Sequence, residues 1–198
     1  MAMTDSDTTS SSGSLFERHA SLLCPATIGE IRRQFQLDWL GFHGVLHWAR
    51  VLENGLNLCC GVPDSRADVV VLFALFHDSC RLNEHWDPEH GERAALLAEA
   101  YFQKGRLPLD TRGLELLTEA CREHDQGGVS SDATIGVCWD ADRLDLARVG
   151  IIPSLRFLST EAAKNRALLK RCMKASRSGE FPRRGHWVPA ASTHSPSK

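Results

Sequence analysis

The sequence predicts an all-α fold, a single compact helical bundle. Three observations carry this. Apolar residues recur at three- and four-residue spacing through the middle of the chain, and the segments so patterned are bounded by helix start and stop residues. Only one run, "RADVVVLFALFHDS", has a Val-rich start that a buried strand would share, and it is long for a strand with no partner strand in sight. The chain has 198 residues, 42% of them hydrophobic and 24% charged, which suits one globular domain with a substantial core.

The elements follow in order. Residues 1–14 are rich in Ser and Thr and read as a disordered tail. Thr27-x-x-Glu30 has the form of a capping box and predicts a helix through about Leu40. In "HGVLHWARVLENGLNLCCG" the residues Val45, Trp48, Val51, Leu52, Leu56 and Cys59 make one helical stripe, which Gly61 and Pro63 end. Ser65 is placed to cap the next helix, which runs into His77-Asp78. Asp87-Pro88-Glu89 reads as N-cap, first helical residue and dipole-matched acid, opening a helix with Ala94, Ala95, Leu97, Ala98 and Tyr101. Asp110 opens "TRGLELLTEACREHD", closed by "QGG". "SDATIGVCWDADRLDLARVG" holds the most acidic interior cluster, and "STEAAKNRALLKRCMKAS" is a last amphipathic helix. The helical domain is thus expected over 15–180, with a flexible tail over 181–198.

Composition also sets limits on function. A formal net charge of −2 argues against a general nucleic-acid binder. No apolar run approaches the ~18 residues of a membrane span. The polar start "MAMTDSDTTSSSGS" lacks the basic and apolar regions of a secretory signal, so a cytoplasmic location is expected. The seven cysteines form no Cys-x-x-Cys pair and read as reduced thiols, mostly buried, with the vicinal Cys59-Cys60 a redox option.

The apolar helical faces are interrupted by His43, His47, His77, Asp78, His90, His124, Asp140 and Asp142. Each alone is an ordinary core histidine, helix cap or surface charge. Together, several imidazoles and carboxylates in one small helical core would need a separate partner each, whereas one or two divalent cations satisfy them all. Nitrogen and oxygen donors without thiolate suit Mn, Fe, Co, Ni or Zn and argue against a structural zinc site.

The order His … His-Asp … Asp resembles the HD-domain superfamily of metal-dependent phosphohydrolases. His47 stands in His-x-x-x-Val form, His77-Asp78 end the apolar "LFALFHD", and Asp142-Arg143-Leu144-Asp145 match the family's Asp-[Lys/Arg]-x-Asp. The resemblance covers about residues 40–160. His90 in "DPEHGERAA" and His124 in "CREHDQGG" lie where the family's binuclear branch carries two further histidines. It implies a metal set of His47, His77, Asp78, His90, His124 and Asp142, with Asp78 bridging two ions ~3.5–4 Å apart. A mononuclear site, with His90 and His124 touching substrate phosphate, is the other reading, and Asp140 is a weaker substitute for Asp142.

The resemblance further implies in-line attack of an activated water on phosphorus, with Asp78 at the reacting centre. Arg50, Arg81 and Arg143 are candidates to neutralise the phosphoryl oxygens. His43, one turn before His47, is a candidate proton donor, and Asp145 a candidate to orient a ligand or a water. No Gly-Tyr-Pro follows His124, so a cyclic-dinucleotide substrate is not implied. The stretch looks like small, stand-alone bacterial HD-domain proteins of unassigned substrate. A small phosphorylated metabolite or nucleotide is the expected partner. A di-iron oxygenase using the same ligands, and a non-catalytic metal-stabilised binding module, are the alternatives.

Overall fold

In the computed structural model, which describes residues 13–188, the chain is all-helical, and no strand occurs among the described residues. The helices are α1 (13–19), α2 (Pro25–Gln34), α3 (Val45–Cys59), α4 (Ala67–Phe76), α5 (His90–Gln103), α6 (Thr111–Glu123), α7 (Ala133–Arg143), α8 (Arg166–Ser178) and α9 (Arg184–Trp187). Among the described residues no helix is long and apolar enough to cross a membrane.

Helix α4 is the centre of the bundle. Every residue from Val69 to Phe76 is buried, and a helix apolar on all sides belongs inside a core. Each such side chain contributes ~1.5–3 kcal/mol by leaving water. Helices α3, α6 and α7 pack around it, and α5 lies along α6. Gly55 permits the close approach of α3 to α4, since a Cβ there would meet Val70 Cγ1 at 2.4 Å.

Several helix starts differ from expectation, and each has a side-chain reason. Helix α2 begins behind Pro25 and stops at Gln34, so Thr27 lies inside its first turn and makes no capping box. Glu30 instead accepts from Tyr101 Oη at 2.9 Å. The chain leaves the helix early because Phe35 and Trp39 turn in to pack edge-to-face on Trp48. Ser65 does not cap α4: its hydroxyl donates to the Val62 carbonyl, and Arg66 holds the cap position with its amide on Thr134 Oγ1. Helix α8 begins at Arg166, capped by the Asn165 side chain, rather than near 159. The Ser159 and Thr160 amides are taken by the Asp140 carboxylate at 2.7 and 2.8 Å.

Asp110 caps α6 as expected, accepting from the Gly113 amide. Asp87 does not cap α5. It accepts from the Leu82 amide and from Arg93, which pins the loop between α4 and α5. Within residues 181–188, expected in a flexible tail, Trp187 is fully buried in the core and Phe181 packs against it. The rest of the two expected tails, 1–12 and 189–198, lies outside the described residues. The seven cysteines are all free thiols; Cys59 and Cys60 form no disulfide, and Cys24 is exposed.

Candidate metal centre

Five elements deliver six donor groups to one point beneath the surface. His77 and Asp78 occupy the turn that ends α4, with 0% and 2% exposure. His47 faces them from α3, Asp142 from α7, His90 from the first position of α5 and His124 from the residue that ends α6. The expected set therefore converges.

The donors fall into two lobes that share Asp78. In the first, His47 Nε2 lies 3.1 Å from His77 Nε2, 3.2 Å from Asp142 Oδ1 and 3.5 Å from Asp78 Oδ2. In the second, His90 Nε2 lies 2.9 Å from His124 Nε2 and 3.2 Å from Asp78 Oδ1. His124 Nε2 is 3.6 Å from the same Asp78 oxygen. Each Asp78 oxygen thus serves one lobe.

Hydrogen bonding on the far side of each ring decides what the near side offers. His77 Nδ1 donates to the Phe73 carbonyl, His90 Nδ1 to the Asp87 carbonyl and His124 Nδ1 to the Cys121 carbonyl. A carbonyl oxygen only accepts, so these three Nδ1 atoms carry the hydrogens. His47 Nδ1 donates likewise to Asp145 Oδ2 at 2.7 Å. The neutral form of each ring then presents a bare Nε2 lone pair inward. Two facing lone pairs repel, and a cation between them turns the repulsion into binding. The two observed imidazole pairs, with Nε2 atoms 3.1 and 2.9 Å apart, are each close enough for both nitrogens to bind one cation.

Electrostatics agree. Burial opposes the charge on Asp78, but the imidazoles around it, His77 first, hold the carboxyl well below the usual carboxylate range. Asp142 is likewise held low against burial, by His47. Burial pushes His77 down to about 3, so it is neutral at physiological pH. His124 is pushed the other way: burial opposes its charge, and Asp78 raises its affinity for a proton above the ordinary value. Two carboxylates and four imidazole nitrogens fit a hard-to-borderline divalent ion in each lobe.

Supporting groups hold this arrangement. Asp145 receives His47 and, through both oxygens, Arg50 at 2.7 and 3.0 Å. Its carboxylate fixes the His47 ring, and Arg50 serves it instead of facing the centre. Gly91 permits His90 and His124 to meet, because a Cβ there would lie 2.4 Å from the Cys121 carbonyl oxygen. Gly91 was not expected to matter; a glycine beside a histidine inside a helical segment was the available signal for it.

The remaining expected residues divide. Arg81 reaches the centre: Nη1 lies 3.4 Å from Asp78 Oδ1 and 3.1 Å from His90 Nε2, and its buried Nε has no partner. His43 turns to Glu84, to which its Nδ1 is bonded, and burial lowers its pKa. Arg143, expected near substrate, is directed elsewhere: it donates to the Phe157 carbonyl and lies over the Trp139 ring. Asp140 points away from Asp142 and binds the 159–160 backbone, so it does not replace Asp142. Asp142 is the most open of the ligands, with 15% of its side chain exposed, and marks the mouth of the centre.

Comparison with known family models, curated proteins and solved structures finds no match to this chain.

Proposed function

We propose that the protein is a dinuclear metal-dependent phosphohydrolase of the HD-domain kind, acting on a small phosphorylated metabolite. The observation that carries the reading is Asp78, one oxygen in each lobe, at the end of the apolar core helix. That is the arrangement expected when one carboxylate is shared by two ions. His47, His77 and Asp142 complete one lobe, and His90 and His124 the other.

Divalent ions held there supply Lewis-acid polarisation of a phosphoryl oxygen and acidify a bound water. The protein's own groups supply the rest. Asp145 fixes the ring of His47, and the three backbone carbonyls fix the other imidazoles, so the donor set is preorganised. Arg81 brings a buried positive charge beside Asp78, with an unspent Nε–H for a phosphoryl oxygen. His43 keeps Nδ1 on Glu84, and burial, which lowers its pKa, favours its neutral form over the protonated donor that the sequence suggested. A buried cation beside the ions favours an anionic substrate, which weighs toward hydrolysis of a phosphate ester over oxidation of a neutral alcohol.

The test is phosphate release from a panel of nucleotides and simple phosphate esters by metal-loaded protein. Activity that depends on added metal, vanishes in Asp78→Ala and falls at least tenfold in Arg81→Gln is expected. Absence of phosphate release with both lobes filled would overturn the reading. Oxygen consumption by the iron-loaded form would replace it with the oxygenase alternative.

A further inference from the structure

The ring of His47 has two sides. Its Nε2 faces the other donors, while Nδ1 is turned to Asp145. Beyond Asp145 lies a cavity of about 550 Å³, within the ~300–1,000 Å³ range of small-molecule sites. Three residues that line it hold Asp145 from three different elements. Arg50 of α3 takes both carboxylate oxygens. Arg148, from the short helical turn Leu146–Val149, and Ser176 of α8 both donate to the Asp145 carbonyl. None of the converging donors lines this cavity. It is a separate site, set apart from the first lobe by Asp145 and His47.

What this cavity offers a ligand is specific. The side chain of Arg148 is only 7% exposed. Its Nε is spent on the Phe42 carbonyl and its Nη1 on the Asp145 carbonyl. Among the described residues, Nη2 has no partner within hydrogen-bonding distance. A buried guanidinium edge left unpaired in a cavity wall calls for an anionic acceptor. Leu40, Phe42 and Leu46 supply an apolar wall, and Leu40 and Phe42 are each more than half exposed. An occupant that covered them would gain the burial of its own apolar surface as well. Asp38 and Glu84 complete the chemistry and set its limit, because a second negative charge on the ligand would face them.

We infer that this cavity binds a small monocarboxylate with an apolar body, and that the bound anion tightens the hold of the first lobe on its metal ion. The carboxylate meets Arg148 Nη2, and the apolar body lies against Leu40, Phe42 and Leu46. The coupling follows from the charges. An anion seated on Arg148 offsets part of that cation's field at Asp145. Asp145 then presents more of its own charge to His47, and a carboxylate behind a ligand imidazole strengthens its bond to metal. Reciprocity requires that metal in the first lobe raise the affinity for the carboxylate by the same factor. The ligand site stands on the cavity alone, whereas the coupling rests on the metal reading above.

The test uses the full metal-loaded chain, with hexanoate as the probe and affinity read by calorimetry. Binding should be lost in Arg148→Gln and weakened about fivefold in Phe42→Ala, a change at an exposed position. Saturating hexanoate should raise the affinity for the first ion about fivefold or more, read by chelator competition, and leave the second ion unchanged. Hexanol that binds as tightly as hexanoate would overturn the inference, as would tighter binding of hexyl phosphate. So would failure of hexanoate to bind, or binding untouched by both variants. A metal affinity that is unchanged, or shifted equally in both lobes, would overturn the coupling. Hexanoate binding by a chain that takes up no metal would support the ligand site and overturn the metal reading, and the coupling with it.

Discussion

At the residue scale, Asp78 is the one group that both lobes need. Wild-type protein is expected to hold two ions per chain by elemental analysis after loading. His47→Ala should lose one ion, His90→Ala and His124→Ala the other, and Asp78→Ala both. A wild-type stoichiometry that never exceeds one, with the His90 and His124 variants unchanged in metal content, would show that the second lobe holds no metal. Asp145 gives a subtler result, because among the described contacts its carboxylate bonds His47 and no other proposed ligand. Asp145→Asn keeps the shape but removes the charge that Arg50 and His47 share. Metal affinity of the first lobe should fall about 10–100-fold, with the second lobe unchanged. Competition with a chelator, read separately for the two ions, checks this.

At the element scale, the second lobe depends on how α5 meets the end of α6. Gly91 sets that distance, and an added Cβ would press into the Cys121 carbonyl. Gly91→Ala should destabilise the fold by ~1–3 kcal/mol in urea unfolding and weaken the second ion while sparing the first. Unchanged binding of both ions would mean that α5 shifts without moving His90. The loop between α4 and α5 depends on Asp87. Burial opposes its charge, but Arg93 and the Leu82 amide hold its carboxyl below the usual range. A depressed carboxylate contributes stability that is present above the unfolded value, near ~4, and is lost as pH falls through the folded value. The stability gap between wild type and Asp87→Ala should therefore be full at pH 6 and shrink below about pH 4. Denaturant melts over that pH range measure it; a gap constant with pH would contradict the ion pair.

For the whole molecule, metal binding and folding are linked, since the donors are assembled only when five elements have packed. Added divalent ion should raise the melting temperature and a chelator should reverse it. The rise should itself depend on pH. Ligand imidazoles must be free of protons, and His124 holds its proton more strongly than an ordinary histidine because Asp78 faces it. Protons thus compete with metal as pH falls, so the metal-induced rise should be large at pH 8 and small by pH 5. Melting with and without metal at each pH decides this, and a rise independent of pH would rule out imidazole ligation. His77 adds a pull on the metal-free form. Its pKa is depressed to about 3 by burial, so its neutral-state contribution is intact above ~6.5 and is lost as pH falls toward the folded value.

The sequence by itself determined the secondary-structure class and a short list of candidate donors. Helical periodicity is a short-range property, and the core stripe of α3 and the apolar run of α4 carry it without help from the rest of the chain. Polar groups interrupting apolar helical faces singled out eight candidates, His43 and Asp140 among them, and the resemblance of the motif order to HD-domain proteins selected His47, His77, Asp78, His90, His124 and Asp142. What only the tertiary structure decided was the partner each polar side chain chose. Ser65 and Asp87 read as local helix signals, yet they serve Val62 and Arg93. Arg143 turned to the Phe157 carbonyl, and Asp145 became the seat of His47. In each case several acceptors of similar strength compete for one donor, and differences of about 1 kcal/mol between them are settled by long-range packing. The division of the two Asp78 oxygens between two lobes has the same origin: it exists because Gly91 brings the first turn of α5 against the last turn of α6, a contact between residues about thirty positions apart in the chain.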